Sequence, residues 1–214
     1  MKIFGLLAAM ILTCQLSRAQ VTANKDTVKT KNDKKVFTAV EQVPEFPGGY
    51  QAFSGYLSKN LKYPEVARLI GIDGRLVMTF VVEKNGHIVD ATPKNCIGAG
   101  CEAEAVRLLE ASPVWKPGIQ DGKPVRVQYS IPISFSVGKG PQTTDMRDLR
   151  SSAYGFVFNI KDTLYTIDEA QKILGKRFPA DQIEFAEPFY NYNNIEKFNM
   201  PDKKEVYLLI FKKS

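Results

Sequence analysis

Apolar and polar side chains alternate without interruption from Val125 to Val137. Val125, Val127, Tyr129, Ile131, Ile133, Phe135 and Val137 take the odd positions, and Arg126, Gln128, Ser130, Ser134 and Ser136 the even ones. A period of two sends successive side chains to opposite faces of an extended chain, so this segment is a strand with one buried face. Pro132 sits inside it. A proline lacks the N–H that a ladder requires, which points to a sheet edge or a bulge. Leu76, Met78, Phe80 and Val82 set the same alternation against Arg75, Thr79 and Glu83, predicting a second strand over 75–83. Asn85-Gly86 then separates two apolar runs, which predicts a two-residue type I′ hairpin and a return strand over 87–94.

Elsewhere the period lengthens. Tyr50, Phe53, Leu57 and Leu61 recur at helical spacing and predict an amphipathic helix over 50–61, whose aromatic stripe is core. Tyr63-Pro64 stops that helix, and Pro64 suits the first position of a short second one that carries Ala67 and Leu69 and ends at Gly71. Residues 102–110 predict a third helix, with Ala105, Val106 and Leu109 inward and Pro113 beyond its end. Residues 36–43 are apolar enough to enter the fold as a first strand, followed by the turn Pro44-Glu45-Phe46-Pro47-Gly48-Gly49. Trp115, the single tryptophan, reads as core, before turns at Pro117-Gly118 and Asp121-Gly122.

Past 138 the pattern changes. Residues 139–150 read as a polar linker, and 151–214 as a small accessory α/β unit. Its expected strands are 154–160, 183–189 and 206–212, and its helix opens on a capping box from Thr166 to Glu169 and runs to Leu174 before Gly175. About sixty residues bury too little surface for confident independence, so this unit should lean on the first.

The amino end reads as an export signal: Lys2, an apolar run from Ile3 to Leu16, and Ser17-Arg18-Ala19 as a small-x-small cleavage site, giving a signal at 1–19. The run is shorter than the roughly twenty residues a membrane span needs. An uncleaved anchor and a lipoprotein attached through Cys14 are the alternatives. Residues 20–39 are Lys-rich and read as a disordered leader. Of the formal charge of +6, Lys2 and Arg18 account for two. Residues 20–40 hold five Lys and two acids, 41–138 ten bases and ten acids, and 139–214 twelve and eleven. The basicity lies in the tail, so the clustered face that a nucleic acid would need is missing from the expected folded regions.

Catalytic chemistry is sparse. His87 is the sole histidine and follows a hairpin turn, so neither a His-based nucleophilic site nor a Cys/His metal site can be assembled, and no cofactor is expected. Gly98-Ala99-Gly100-Cys101-Glu102-Ala103 fits a dinucleotide pattern formally, but it follows a hairpin arm rather than a buried parallel strand. Glu102 and Glu104 open a helix, where negative charge suits the dipole. Cys96 and Cys101 are an even pair in an exported chain, and a disulfide bracing the short loop between them is expected. No enzyme is read here.

Taken in order, Pro-Glu-Phe-Pro-Gly-Gly at 44–49, Tyr63-Pro64, Ala67, Gly71, Gly74, Phe80, Asn85-Gly86, Ala105, Trp115, Pro117-Gly118, Gly122, Val125, Pro132 and Phe135 resemble the C-terminal domain of the TonB family of energy transducers, in its Bacteroidetes form. The resemblance covers 40–138. It implies an α+β fold, a three-stranded antiparallel sheet with helices on one face. It also implies a periplasmic partner, the TonB box of outer-membrane TonB-dependent transporters, bound as an added strand along the last sheet strand. Carried onto this sequence, the contact residues are Lys62, Tyr63, Pro64, Val125, Arg126, Val127, Gln128, Tyr129, Ser130 and Ile131. Edge pairing with an extended peptide agrees with the strand read at 125–137. Family transducers also engage an inner-membrane energising complex through an anchor and a long spacer. Residues 21–39 reach only about 65 Å fully extended. The alternatives to a receptor-binding protein are an envelope adaptor that keeps the fold without receptor binding, and an anchored transducer if the signal stays.

Overall fold

The structure is a computed structural model that describes residues 35–138 and 142–213; the expected signal and most of the expected leader lie outside these residues. The described chain opens with β1 (Val36–Phe37), then α1 (Gly49–Asn60), α2 (Glu65–Ile70), β2 (Gly74–Val82), β3 (Ile88–Pro93), α3 (Cys101–Glu110), β4 (Gly118–Gln120) and β5 (Lys123–Phe135). The first sheet has five strands instead of the three expected. Antiparallel β5-β2-β3 is its centre, β1 joins β5 in parallel, and β4 pairs with the start of β5. Leu76, Met78, Phe80, Val82, Val127, Ile133 and Phe135 are all buried. The odd face of β5 is therefore the inward one.

The two tight turns differ from expectation. At the β2–β3 turn only Gly86 has positive φ (82°), and Gly86 N–H donates to Glu83 O at 2.8 Å. This is a longer loop closed by one left-handed glycine, not the expected two-residue turn. Trp115 explains the choice: its N–H donates to Gly86 O at 2.9 Å, and its carbonyl oxygen would lie 1.9 Å from any Cβ at 86. The type I′ signature appears instead at Asp121-Gly122 (φ 50° and 69°), which joins β4 to β5.

Of the segment expected as a linker, 139–150, the described residues from 142 on are folded. β6 (Thr143–Asp145) leads directly into α4 (Met146–Ser151), and Thr144 Oγ1 donates to Ile70 O at 3.0 Å. Met146 and Leu149 are buried. Then follow β7 (Gly155–Ile160), β8 (Thr163–Tyr165), α5 (Ile167–Leu174), β9 (Arg177–Pro179), β10 (Ile183–Pro188) and β11 (Val206–Phe211). The second sheet runs β10-β11-β7-β8, and β9 pairs with β6. Thr166 and Glu169 close both bonds of the capping box that starts α5. One continuous core links Ile70 and Ile72 of the first part with Met146, Leu149, Tyr154 and Ile183 of the second. The C-terminal unit does lean on its neighbour.

The Gly98-Ala99-Gly100 turn makes part of that seam. Ala99 N–H donates to Ala186 O of β10 at 2.8 Å, and a Cβ at Gly98 would stand 2.3 Å from the same oxygen. The amides of Ile97 and Gly98, which a phosphate would need, both donate to Glu102 Oε1, at 2.6 and 2.8 Å. The glycines admit a neighbouring strand, and the helix supplies its own carboxylate.

Candidate functional site

Which way the backbone groups of β5 point follows from its partner. Val77 of β2 lies opposite Pro132. Val77 N–H donates to Asn95 Oδ1 at 2.8 Å, and its carbonyl accepts from Lys94 N–H at 2.8 Å. Both of its polar groups are turned towards the β3 side, so Val77 and Pro132 do not bond each other. Directly opposed residues in an antiparallel ladder alternate between bonded and non-bonded pairs. The β2–β5 register is unbroken from Gly74↔Phe135 to Val82↔Val127. Odd residues of β5 therefore bond β2, and the even residues 126, 128, 130, 132 and 134 turn their backbone groups to the outer rim.

Extending the alternation one step adds Pro124. Two prolines thus stand in the outward set, and neither has a donor. Between them the rim offers three N–H groups: Arg126, Gln128 and Ser130. Pro132 is accommodated because its missing N–H falls on the unpaired side, the placement proline requires within a strand.

Part of this rim is occupied by the chain itself. Val36 pairs with Arg126 and Phe37 with Val127, in parallel. Val125 belongs to the hairpin with β4, opposite Gly118. Because Val127 bonds β2, the Phe37 pairing runs through Arg126 C=O and Gln128 N–H; beyond Gln128 N–H no strand among the described residues pairs with the outer side of β5. Of the predicted contact residues, then, Val125 meets β4 on the inner side, Arg126, Val127 and the Gln128 N–H border β1, and Tyr129, Ser130 and Ile131 border open rim.

A groove follows that open stretch. Its upper part, about 570 Å³, is lined by Phe46, Phe53, Trp115, Tyr129 and Ile131, with Glu41 and Glu45 at the margin. A lower part of about 240 Å³ continues between α1 (Leu57, Leu61) and Pro132, Ile133 and Ser134 of β5. Tyr50 and Phe53 line both. Tyr50 is 84% exposed and Val43 59%, so the groove has apolar side chains at its mouth as well as its floor. The floor is rigid. Trp115 packs edge-on against Phe46, Phe53, Phe80 and Tyr129 with ring centroids 5.5–6.2 Å apart, and its indole N–H donates to Ser112 Oγ at 3.1 Å. Sequence reasoning took Trp115 as core only; its edge on the groove depends on Phe46 and Phe53 folding over it, which no local pattern signals.

Lys62, Tyr63 and Pro64 lie at the far end of β5. The Tyr63 ring stands edge-on to Phe135 at 5.7 Å, and its hydroxyl donates to Ile72 O. Burial, then the Asp73 carboxylate, pushes this phenol well above its ordinary range. Lys62 contributes its backbone N–H, which donates to Glu104 Oε1 at 2.6 Å. Pro64 caps α2. Burial raises Glu104, but its bonds to Arg107 and to Lys62 N–H outweigh burial and hold it below the usual carboxylate range. These groups brace the α1–α2 corner.

The expected disulfide is not formed. Cys101 is fully buried in the first turn of α3, whereas Cys96 is exposed, so the two thiols face different surroundings. Burial, followed by the charges of Glu102 and Glu104, pushes the Cys101 thiol up to about 12. Among the described residues no group of three or more His, Cys, Asp or Glu could hold a metal, and no helix there is long and apolar enough to cross a membrane.

Residues 59–137 match the profile of the family described as Gram-negative bacterial TonB protein C-terminal. Two solved structures of the Helicobacter pylori TonB C-terminal domain, a longer and a shorter piece, are similar to this chain. The longer is 20% identical, with 44% of this chain and 89% of the other covered and a TM-score of 0.31. The shorter is 21% identical, at 42% and 95% coverage and a TM-score of 0.30. Comparison with characterised proteins gave no match.

Proposed function

Proceeding from a TonB C-terminal-type domain at residues 59–137, we propose that this protein acts in the periplasm and binds an extended segment of an outer-membrane TonB-dependent transporter by strand addition, in support of transport across that membrane. The observation that carries the reading is the row of outward backbone groups on β5 from Gln128 to Ser134, lying beside an apolar groove. Unpaired main-chain donors and acceptors give an added strand its affinity, and side chains entering the groove at alternate positions give it selectivity. The contact set centres on Gln128, Tyr129, Ser130 and Ile131 and extends to Ser134, with Tyr50, Phe53 and Trp115 receiving the partner's side chains. Lys62, Tyr63 and Pro64 support the rim from its lower end.

Trp115 makes the proposal testable without a label, because it is the only tryptophan and borders the groove. Titration with a synthetic TonB-box peptide should shift its emission and move the amide resonances of residues 128–134. Resonances there that stay fixed at millimolar peptide would reject receptor binding and leave the envelope-adaptor reading. The export signal has its own check: the native protein should begin at Gln20 by intact-mass measurement.

A further inference from the structure

We propose that Val36–Phe37 is a resident ligand of the β5 rim, a self-strand that occupies part of the partner's position and must leave before a full-length partner strand can bind. This rests on the strand-addition reading above and assigns its regulation.

The rim between Pro124 and Pro132 has three outward donors, and β1 takes the first two: Val36 pairs with Arg126, and the Phe37 pairing, since Val127 itself bonds β2, falls to Gln128 N–H. An incoming strand that leaves β1 in place finds one open donor between the prolines, at Ser130. One that spans the whole window needs Arg126, where Val36 already is. The two segments therefore compete for the same backbone groups, and binding of one lowers the apparent affinity of the other by the fraction of time the rim is taken.

The hold on β1 is slight. Only two residues pair, Val36 is 36% exposed, and Phe37 is partly buried with the Lys35 ammonium 4.5 Å over its ring. The chain then bends away at Thr38-Ala39 and crosses to Gln42, which exchanges two backbone bonds with Ile119 at 2.9 and 3.2 Å. That second attachment keeps the self-strand close to the rim after it lets go. A tethered segment of this kind has a high effective concentration and weak intrinsic affinity, the combination suited to reversible competition. The self-strand also defines the partner's chemistry. It is an extended segment running parallel to β5, with an apolar residue followed by an aromatic one and a cation just before them.

Two experiments on the intact chain decide the matter. In the first, the transporter peptide is titrated into the unmodified protein while the amides of Val36, Phe37 and Arg126 are followed by NMR. They should move together with those of Gln128 and Ser130. Movement at 128–134 with Val36 and Phe37 unchanged would overturn the self-strand while leaving receptor binding intact. In the second, Val36→Gly/Phe37→Gly is compared with the unmodified protein. The double variant should bind the transporter peptide on the order of threefold to tenfold more tightly. It should also bind a synthetic peptide of residues 33–40 added in trans, with shifts at Arg126 and Gln128, whereas the unmodified chain binds that peptide at least several-fold more weakly. Equal affinities in the two proteins would refute the proposal. If the transporter peptide binds neither protein, the trans peptide still reports whether the rim accepts residues 36 and 37.

Discussion

Replacing Gly98 by alanine separates two roles of the 97–100 turn, reversing the chain and admitting β10. At φ 82° an L-residue is in the left-handed region and costs about 1–2 kcal/mol. The new Cβ would stand 2.3 Å from Ala186 O and 2.9 Å from Ala186 N, distances that backbone atoms do not tolerate. The strand must move back, and the 2.8 Å bond from Ala99 N–H to Ala186 O opens. Ala99 is 2% exposed, so water does not readily replace the lost acceptor, and stranding such a donor costs about 1–3 kcal/mol. The expected loss is roughly 3 kcal/mol. Gly100→Ala is the control. Its φ is 84°, but its Cβ would meet only Pro64 Cβ at an ordinary 3.6 Å, so about 1–2 kcal/mol is expected. Urea unfolding followed by Trp115 emission and far-ultraviolet dichroism gives both values, and hydrogen exchange should show β10 amides losing protection only in Gly98→Ala. Equal destabilisation by the two substitutions would refute the docking role and leave only the turn.

Pro132→Ala restores an outward N–H to the rim, and the transporter peptide should bind tighter by about 1 kcal/mol, roughly fivefold; an unchanged Kd from isothermal calorimetry would contradict the alternation assigned to β5. Glu104→Gln should destabilise the fold by about 1–2 kcal/mol at pH 7, because bonds from Lys62 N–H and Arg107 lose their charged acceptor. Glu104 is depressed in the folded state, so its contribution is present above the unfolded carboxylate range and lost as pH falls through the lowered value. The difference between Gln variant and parent should accordingly vanish in acid melts, and a gap that persists there would exclude charge as the cause. Cys96 should react with iodoacetamide in the native protein while Cys101 reacts only after unfolding, as peptide mapping will show; a 96–101 peptide recovered two mass units light would restore the disulfide.

Much of the first sheet was legible because its signals are local. The odd–even register of 125–137 needs only neighbouring residues, and so do the Thr166–Glu169 box and the helical spacing of Phe53, Leu57 and Leu61; Tyr50, read into the same core stripe, stands exposed at the groove mouth instead. What escaped depended on distant partners. Pairing of Val36 with Arg126 joins a two-residue segment to a strand far along the chain, and a two-residue strand has no period to detect. Asn85-Gly86 carried the stronger hairpin signature, yet Trp115 donating to Gly86 O fixed a different loop there, and Asp121-Gly122 took the type I′ form. The disulfide was an argument from compartment and count; burial of Cys101 in α3 decided against it. Residues 139–150 read as a linker because polar side chains such as Arg147, Asp148 and Arg150 dominate the composition, yet Met146 and Leu149 are enough to seat α4.

The even positions of β5 serve two opposed ends. A sheet edge left bare invites pairing with any extended chain, and proteins blunt such edges with prolines, charges and short covering strands. All three devices are present on this rim: Pro124 and Pro132, Arg126 paired to Glu83 at 2.7 Å, and β1. Each is incomplete. The prolines remove donors but leave carbonyls, the arginine guards one position, and the covering strand is two residues long. What survives between the prolines is one open donor, at Ser130, beside an apolar groove; that is narrow enough to discourage a second copy of the sheet and, on the strand-addition proposal, sufficient to start pairing with a peptide that then advances against β1. Protection and the proposed reception therefore fall to the same residues, and any change that opens the rim to the proposed partner must also raise its tendency to pair with itself.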